Sequence, residues 1–301
     1  MHTGCTTLKV GRWSITGVSQ AGQYTTIVLN ELKICFDIGI ITNESIYCDK
    51  VLISHGHVDH CNDYFKHYRI RRLRKMLPPP VYLIHPIMET PMRNSAEAQF
   101  NMEKGLIGIP LPKDYIQIKP LQEPYEFNRC QHSTFYIRGY PMTHSIPSYG
   151  YTVISQTPKL KTEYIGLPSK EIKKLRKNNT DIFYTKRVIE IAYTGDTTID
   201  GVLSEPYFLN AEVLLIECTI IDDQINREET RRRGHIHIQD IVDNWKCFKN
   251  NYIVLFHLSP RYTRKPVHEL VKKALEVTSP EFRSKVQLLW PKSYSKEPTV
   301  L

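Results

Sequence analysis

The chain has 301 residues, 41% of them hydrophobic, enough to bury one large core or two small ones. Its 40 Lys and Arg against 31 Asp and Glu give a formal charge of +9, which favours a polyanionic partner and says nothing about fold. No run approaches the ~20 apolar residues of a membrane span, and "MHTGCTTLKVGRW" lacks the apolar core of a signal peptide. The seven cysteines are odd in number and show no C-x-x-C spacing, which excludes a disulfide framework and leads us to expect reduced thiols in the cytoplasm or nucleus.

In chain order, "KVGRWSITGVS", "YTTIVL", "LKICFDIG" and "KVLIS" are β-branched runs broken by Gly and Asn, and read as strands. Residues 63–77 follow as a helix, with Phe65, Tyr68, Leu73, Met76 and Leu77 on one face and Pro78–Pro80 stopping it. "VYLI" is a strand and residues 90–106 a second helix; strands return at "YIQIKPL", "STFYIRGYPM" and "YGYTVIS". Residues 156–182 are polar and mostly non-strand, with a short helix at "PSKEIKKLRKNN". The strands "VIEIAYTGD" and "AEVLLIECT" come next, then helix "IQDIVDNWKCF", strand "YIVLFHLS" and helix "KPVHELVKKALEV". Mixed strands with helices outside them predict a layered α/β sandwich, and the absence of repeats and linkers predicts one domain over 1–301.

The chemistry concentrates in "SHGHVDHCNDY". His55, His57, Asp59 and His60 fall in six positions directly after an apolar strand, and imidazole with carboxylate is the ligand chemistry of first-row metals. One such motif cannot complete a two-metal site. Asp37, His144, Asp196 and His257 each close an apolar strand and precede a turn, so all four are candidates to meet the motif at one rim of a sheet. His67, His85, His132 and His268 lack companions at ligand spacing and read as structural or surface residues.

Taken together, "FDIG", "SHGHVDH", "EYIGLPSKEIKKL", "YTGDTT", "GHIHI" and "HLSPRY" resemble the RNase Z (tRNase Z) family of the metallo-β-lactamase superfamily, nearest to its short plant type, over nearly the full chain. The resemblance implies a four-layer αββα sandwich with a dinuclear zinc site, for which manganese or iron would also suit the ligands. It implies that His55, His57 and His144 hold one zinc, that Asp59, His60 and His257 hold the other, and that Asp196 bridges them. Asp37 would shape the metal loop, Asp59 would also orient the attacking water, and His235 would supply a proton, with Glu217 to orient it. Two such ions clamp the attacking and leaving oxygens of a phosphodiester, so the implied activity is removal of the 3′ trailer of precursor tRNA by metal-activated water. The family is commonly dimeric, so a homodimer is implied as well.

Three stretches depart from the family pattern. "SQAGQYTT" stands where a Pro-x-Lys-x-Arg-Asn loop is common, the compact 156–182 segment replaces a long Gly/Pro-rich arm, and His235-Ile236-His237 replaces His-Ser-Thr. "KHYRIRRLRK" and the 156–182 segment fit an RNA backbone, the latter through Lys170, Lys173, Lys174 and Arg176; Arg261 of "HLSPRY" is a further candidate contact, and the arginines of "TRRRGH" lie near the expected site. A cyclic-nucleotide or other small-diester hydrolase on the same scaffold would need the metals without the basic segments. An inactive RNA-binding subunit would need the basic segments without the full ligand set.

Overall fold

The computed structural model describes residues 4–130, 133–263 and 266–290. Two seven-stranded sheets hold the chain together. The first runs, in spatial as in chain order, β1 (Thr6–Val10), β2 (Trp13–Gln20), β3 (Tyr24–Leu29), β4 (Ile34–Phe36), β5 (Lys50–Ile53), β6 (Val81–Ile84) and β7 (Gln117–Pro120). The second is ordered β14 (Val286–Leu288), β13 (Tyr252–Phe256), β12 (Val213–Glu217), β11 (Phe183–Tyr193), β10 (Ser148–Leu160), β9 (Ser133–Met142) and β8 (Tyr125–Cys130). Each sheet is antiparallel where hairpins connect its strands and parallel where helices intervene.

The apolar runs without alternation are explained by burial on both faces. In β12, Val213 and Leu215 face the other sheet while Leu214 and Ile216 face outer helices. In β5, Leu52 points between the sheets, and Val51 and Ile53 point outward. Three apolar clusters result. One joins the sheets; one packs the first sheet under α2 (Tyr64–Leu73) and α3 (Glu89–Lys104); one packs the second under helices that include α8 (Ile238–Asp243) and α9 (Val267–Leu275). Three interfaces separate four layers, the αββα order expected from the resemblance.

Two local expectations change. Helix α2 stops at Leu73, where Lys75 takes a left-handed φ of 53°, so Leu73 and Leu77 are exposed and not part of its apolar face. The segment from 156 begins as strand: β10 pairs with β11 out to Leu160 and Phe183, making a long hairpin tipped by α4 (Ser169–Lys177). Partners beyond the core explain this, because each strand satisfies the other's backbone groups.

Candidate metal centre

All the candidate ligands lie past the C-terminal ends of strands, on the rim shared by the two sheets. After β5 the chain leaves as a loop and enters α1 (Val58–Cys61). His55 sits on that loop, His57 takes the position just before α1 with its side chain left free of the helix end, and Asp59 and His60 lie in its single turn. The approach is close enough that a Cβ on Gly39 would sit 1.9 Å from the Asp59 carbonyl, so only glycine fits there. Two residues at the rim, Asp37 and His257, adopt left-handed φ values of 55° and 66° that non-glycine residues seldom occupy. Hydrogen bonds hold both: Asp37 N–H donates to the Leu52 carbonyl at 2.8 Å, and His257 N–H to the Ser19 hydroxyl at 3.1 Å.

His55, His57, His144 and Asp196 present ligand atoms all within 4.8 Å of one another, as do Asp59, His60 and His257, and as do Asp196, Glu217, His235 and His257. Asp196 Oδ2 stands between the sets, 3.7 Å from His55 Nε2 and 3.4 Å from both His60 Nε2 and His257 Nε2. Asp59 Oδ2 is 3.4 Å from His257 Nε2 and 3.5 Å from His60 Nε2, and accepts from the Gly22 N–H at 2.7 Å. That amide belongs to the "SQAGQYTT" loop, which therefore touches the centre through its backbone. His144 donates from Nδ1 to the Gly234 carbonyl at 2.8 Å, and its Nε2 lies 3.3 Å from His57 Nδ1. His55, His60, Asp196 and His257 are fully buried, whereas His57, His144 and His235 are partly exposed and form the mouth.

His235 lies at that mouth with Nδ1 2.9 Å from Glu217 Oε1 and 4.0 Å from Asp196 Oδ2. It does not cap α8. His237 does, accepting from the Gln239 N–H at 3.1 Å. Glu217 is fully buried and also accepts from the Thr197 N–H at 3.2 Å.

The electrostatics divide the histidines. Burial works against the cation of His60, but Asp196 and Asp37 overcome it and hold the pKa well above the ordinary value. Burial likewise opposes charge on His235, and Glu217 with Asp196 lifts its pKa to about 9. Burial pulls His55, His57 and His144 below the ordinary value. Burial raises Asp196, but His257 and His60 outweigh it and keep the carboxylate ionised.

Do these residues fit metal ions? Asp196 Oδ1 is buried with no hydrogen-bond partner among the described residues, a costly state for a carboxylate unless a cation meets it. His60 Nε2 and His257 Nε2 face each other at 3.2 Å, a contact met either by a proton on one ring or by a metal ion that both nitrogens ligate. Imidazoles and carboxylates aimed at one buried point fit a first-row divalent metal.

The remaining candidates scatter. The cationic side chains of α4 sit at the hairpin tip, separated from the centre by the 13 residues of β10, about 40 Å of strand. Arg261 is exposed on the turn after His257. The basic helix α2 is largely engaged internally: Lys66 pairs with Asp63, Arg69 with Glu103, Arg71 donates to the Ile46 and Pro78 carbonyls, and Arg72 to the Tyr68 hydroxyl. The three arginines of "TRRRGH" are likewise in ion pairs, Arg231 with Asp200 and both Arg232 and Arg233 with Glu229. His67 is buried, its Nε2 donating to the Ser45 carbonyl at 3.0 Å, and His85 caps a turn by accepting from the Ile87 N–H. His268 is buried in α9, and His132 lies outside the described residues.

Sequence reading missed three residues at the centre. Ser54 donates to Asp37 at 2.9 Å, Thr219 donates to Glu217 at 2.8 Å, and the Tyr193 hydroxyl donates to Asp37. Only adjacency to His55 and Glu217 could have flagged the first two.

No family model matches the chain. A tRNase Z of Arabidopsis thaliana is 35% identical over 275 residues, covering 88% of this chain and 91% of that protein. A chloroplastic tRNase Z of the same plant is 30% identical over 268 residues, covering 88% and 73%. Among solved structures, the metallo-β-lactamase fold protein YhfI from Bacillus subtilis superposes with a TM-score of 0.57 at 16% identity, over 92% of this chain and 96% of that one. The short form of human tRNase Z superposes at 0.51 and 17%, over 82% and 93%. With a relative 35% identical matched over 91% of its length, and the His/Asp centre assembled at the rim of two stacked sheets, the chain belongs to the tRNase Z family of metal-dependent endoribonucleases in the metallo-β-lactamase superfamily.

Proposed function

We propose that this enzyme removes the 3′ trailer of precursor tRNA, with two zinc ions held by His55, His57 and His144 on one side, by Asp59, His60 and His257 on the other, and by Asp196 between them. The observation that carries the reading is the His235–Glu217 pair at the mouth: the two close with Asp196 and His257 into a third tight group, and the Nδ1 of His235 is taken up by Glu217 at 2.9 Å. When bound, the metals supply Lewis acidity and lower the pKa of water at the site. The chain's own groups do the rest. Asp59, fixed by the Gly22 amide, orients the attacking water. As the water oxygen bonds to phosphorus and releases a proton to solvent, the bond from phosphorus to the tRNA 3′-oxygen breaks. His235, its Nδ1 proton engaged by Glu217, offers its Nε2 proton to that departing oxygen. The products are a tRNA with a free 3′-hydroxyl and a trailer with a 5′-phosphate.

The exposed cations Lys170, Lys173, Lys174 and Arg176 of α4, with Arg261 nearer the centre, neutralise backbone phosphates. An A-form stem is recognised by shape and backbone, which suits a grip distant from the cut. The working form in this reading is a homodimer in the cytoplasm or nucleus; among the described residues no helix is long and apolar enough to cross a membrane.

The test incubates zinc-loaded protein with precursor tRNA and, separately, with cyclic nucleotides, and maps product ends. A single cut leaving a 3′-hydroxyl on the tRNA is expected. Turnover of cyclic nucleotides alone would make the protein a small-diester hydrolase, and binding without cutting would make it an RNA-binding subunit. Elemental analysis fixes the metal and its count, and light scattering fixes the oligomeric state.

A further inference from the structure

Beside the central Asp196, each sheet contributes a fully buried carboxylate to the centre, Asp37 after β4 and Glu217 at the end of β12. The two are surrounded alike. Asp37 Oδ2 meets one imidazole directly, His60 Nδ1 at 2.6 Å, and accepts from the Ser54 hydroxyl at 2.9 Å; that hydroxyl lies 2.9 Å from His55 Nδ1. Glu217 Oε1 meets His235 Nδ1 at 2.9 Å, and Oε2 accepts from the Thr219 hydroxyl at 2.8 Å; that hydroxyl lies 3.1 Å from His257 Nδ1. In both halves a carboxylate holds one histidine itself and reaches a second through an alcohol.

The proton count fixes the direction. An ionised carboxylate only accepts, and an alcohol has one proton to give. Ser54 and Thr219 give theirs to Asp37 and Glu217, so toward the imidazoles they can only accept. His55 and His257 must then carry their protons on Nδ1, leaving the Nε2 lone pairs aimed at the centre, 3.7 and 3.4 Å from Asp196 Oδ2. Without the alcohol, either ring can place its proton on Nε2 and point N–H where a metal must bind.

Resting on the two-metal reading, we propose that Ser54 and Thr219 are positioning residues, a matched pair of alcohol relays that fix the tautomers of His55 and His257. Because these histidines fall in different ligand sets, each relay chiefly serves one metal; Ser54 Oγ also lies 3.5 Å from His60 Nδ1, but Asp37 takes that proton at 2.6 Å. Orienting partners of ligand histidines are worth about 10–100-fold in metal affinity.

The test measures both zinc affinities by competition with a chromophoric chelator in the full-length protein, for wild type, Ser54→Ala, Thr219→Val and Thr219→Ser, with thermal unfolding to verify folding. Thr219→Val, near-isosteric, weakens one zinc by about 10–100-fold and leaves the other unchanged. Ser54→Ala weakens the other zinc, and Thr219→Ser, which keeps the alcohol, binds as wild type. Cobalt substitution gives a second readout, because the visible bands of only one of two sites should change in each variant. Two unchanged affinities in Thr219→Val overturn the relay while the metal reading stands. Equal damage in Thr219→Ser also overturns it, by assigning the effect to the lost methyl group. A wild type that binds no zinc overturns the metal reading, and the relay with it.

Discussion

Replacing His235 by alanine separates proton donation from metal binding. The side chain is 20% exposed at the mouth, with Nδ1 2.9 Å from Glu217 Oε1, so its Nε2 is the atom free to face substrate. The proposed ligand trios leave it out, its Nδ1 being engaged by Glu217, and His235→Ala should keep both metals and its affinity for tRNA. Expelling an alkoxide without an acid costs on the order of 10²–10⁴ in rate, about 2.7–5.5 kcal/mol at 1.36 kcal/mol per decade. A diester with a nitrophenolate leaving group needs no proton, so its loss should fall below about tenfold. The pH profile gives the sign. Glu217, against the opposing effect of burial, raises His235 to about 9, so the group is protonated at neutral pH and turnover falls as pH rises through its pKa. Bound cations lower that value by repulsion, but the Glu217 contribution persists. Glu217→Gln should therefore move the alkaline limb to lower pH. Single-turnover rates on precursor tRNA and on bis-nitrophenyl phosphate, from pH 6 to pH 10, measure all of this. Equal losses on both substrates, or an alkaline limb indifferent to Glu217→Gln, would refute the acid role of His235.

Asp196→Ala should lose most of its metal together with activity, since its Oδ2 stands within 3.7 Å of nitrogens from both ligand sets; elemental analysis that finds two retained zincs would exclude the bridge. Neutralising Lys170, Lys173, Lys174 and Arg176 together should weaken tRNA binding and flatten its salt dependence, by up to roughly 0.9 in slope for each phosphate that is no longer neutralised, with small-diester hydrolysis unchanged; a parallel fall in both activities would make α4 a structural element. Gly234→Ala should impair metal binding, because at φ 79° its Cβ would lie 2.7 Å from His144 Nδ1; metal titration at wild-type affinity would show that the loop yields. His67, in α2, is held by burial and by Arg71 at a pKa of about 3, below its ordinary 6.5. Its neutral form therefore stabilises the fold above pH 6.5, and that contribution fades as pH falls from 6.5 toward 3, by about 1.4 kcal/mol per pH unit within that window. Urea unfolding of wild type and His67→Gln between pH 7.5 and pH 4.5 should show the shallower acid loss in the variant, and parallel curves would contradict the linkage.

Local chemistry made the candidate ligands legible. His55, His57, Asp59 and His60 are separated by one or two residues, so a single loop and one helical turn bring them together whatever the rest of the chain does. Strand ends made Asp37, His144, Asp196 and His257 legible as well, because strands of stacked sheets deliver their C-terminal residues to one rim. The layered architecture was readable for a related reason: runs such as "VLLI" must be covered on both faces.

What only the tertiary structure decided is what depends on distant partners. The end of α2 and the continuation of β10 to Leu160 were set by a left-handed residue and a paired strand, neither visible in a hydrophobic pattern. Arg69 and Arg71 of α2 and Arg231 of α7 (Arg227–Arg232) looked available for RNA until their partners appeared across the fold: Arg69 pairs with Glu103, Arg71 donates to the Ile46 carbonyl, and Arg231 pairs with Asp200. His235 and His237 look alike in "GHIHI", yet one faces Glu217 and the other closes a helix. The alcohols of Ser54 and Thr219 carry no sequence signal, because a hydroxyl becomes an orienting group only when a carboxylate and an imidazole stand on either side of it. Sequence determines which groups a chain owns; direction and partnership are set by packing, and at this centre direction is what separates a lone pair from a proton.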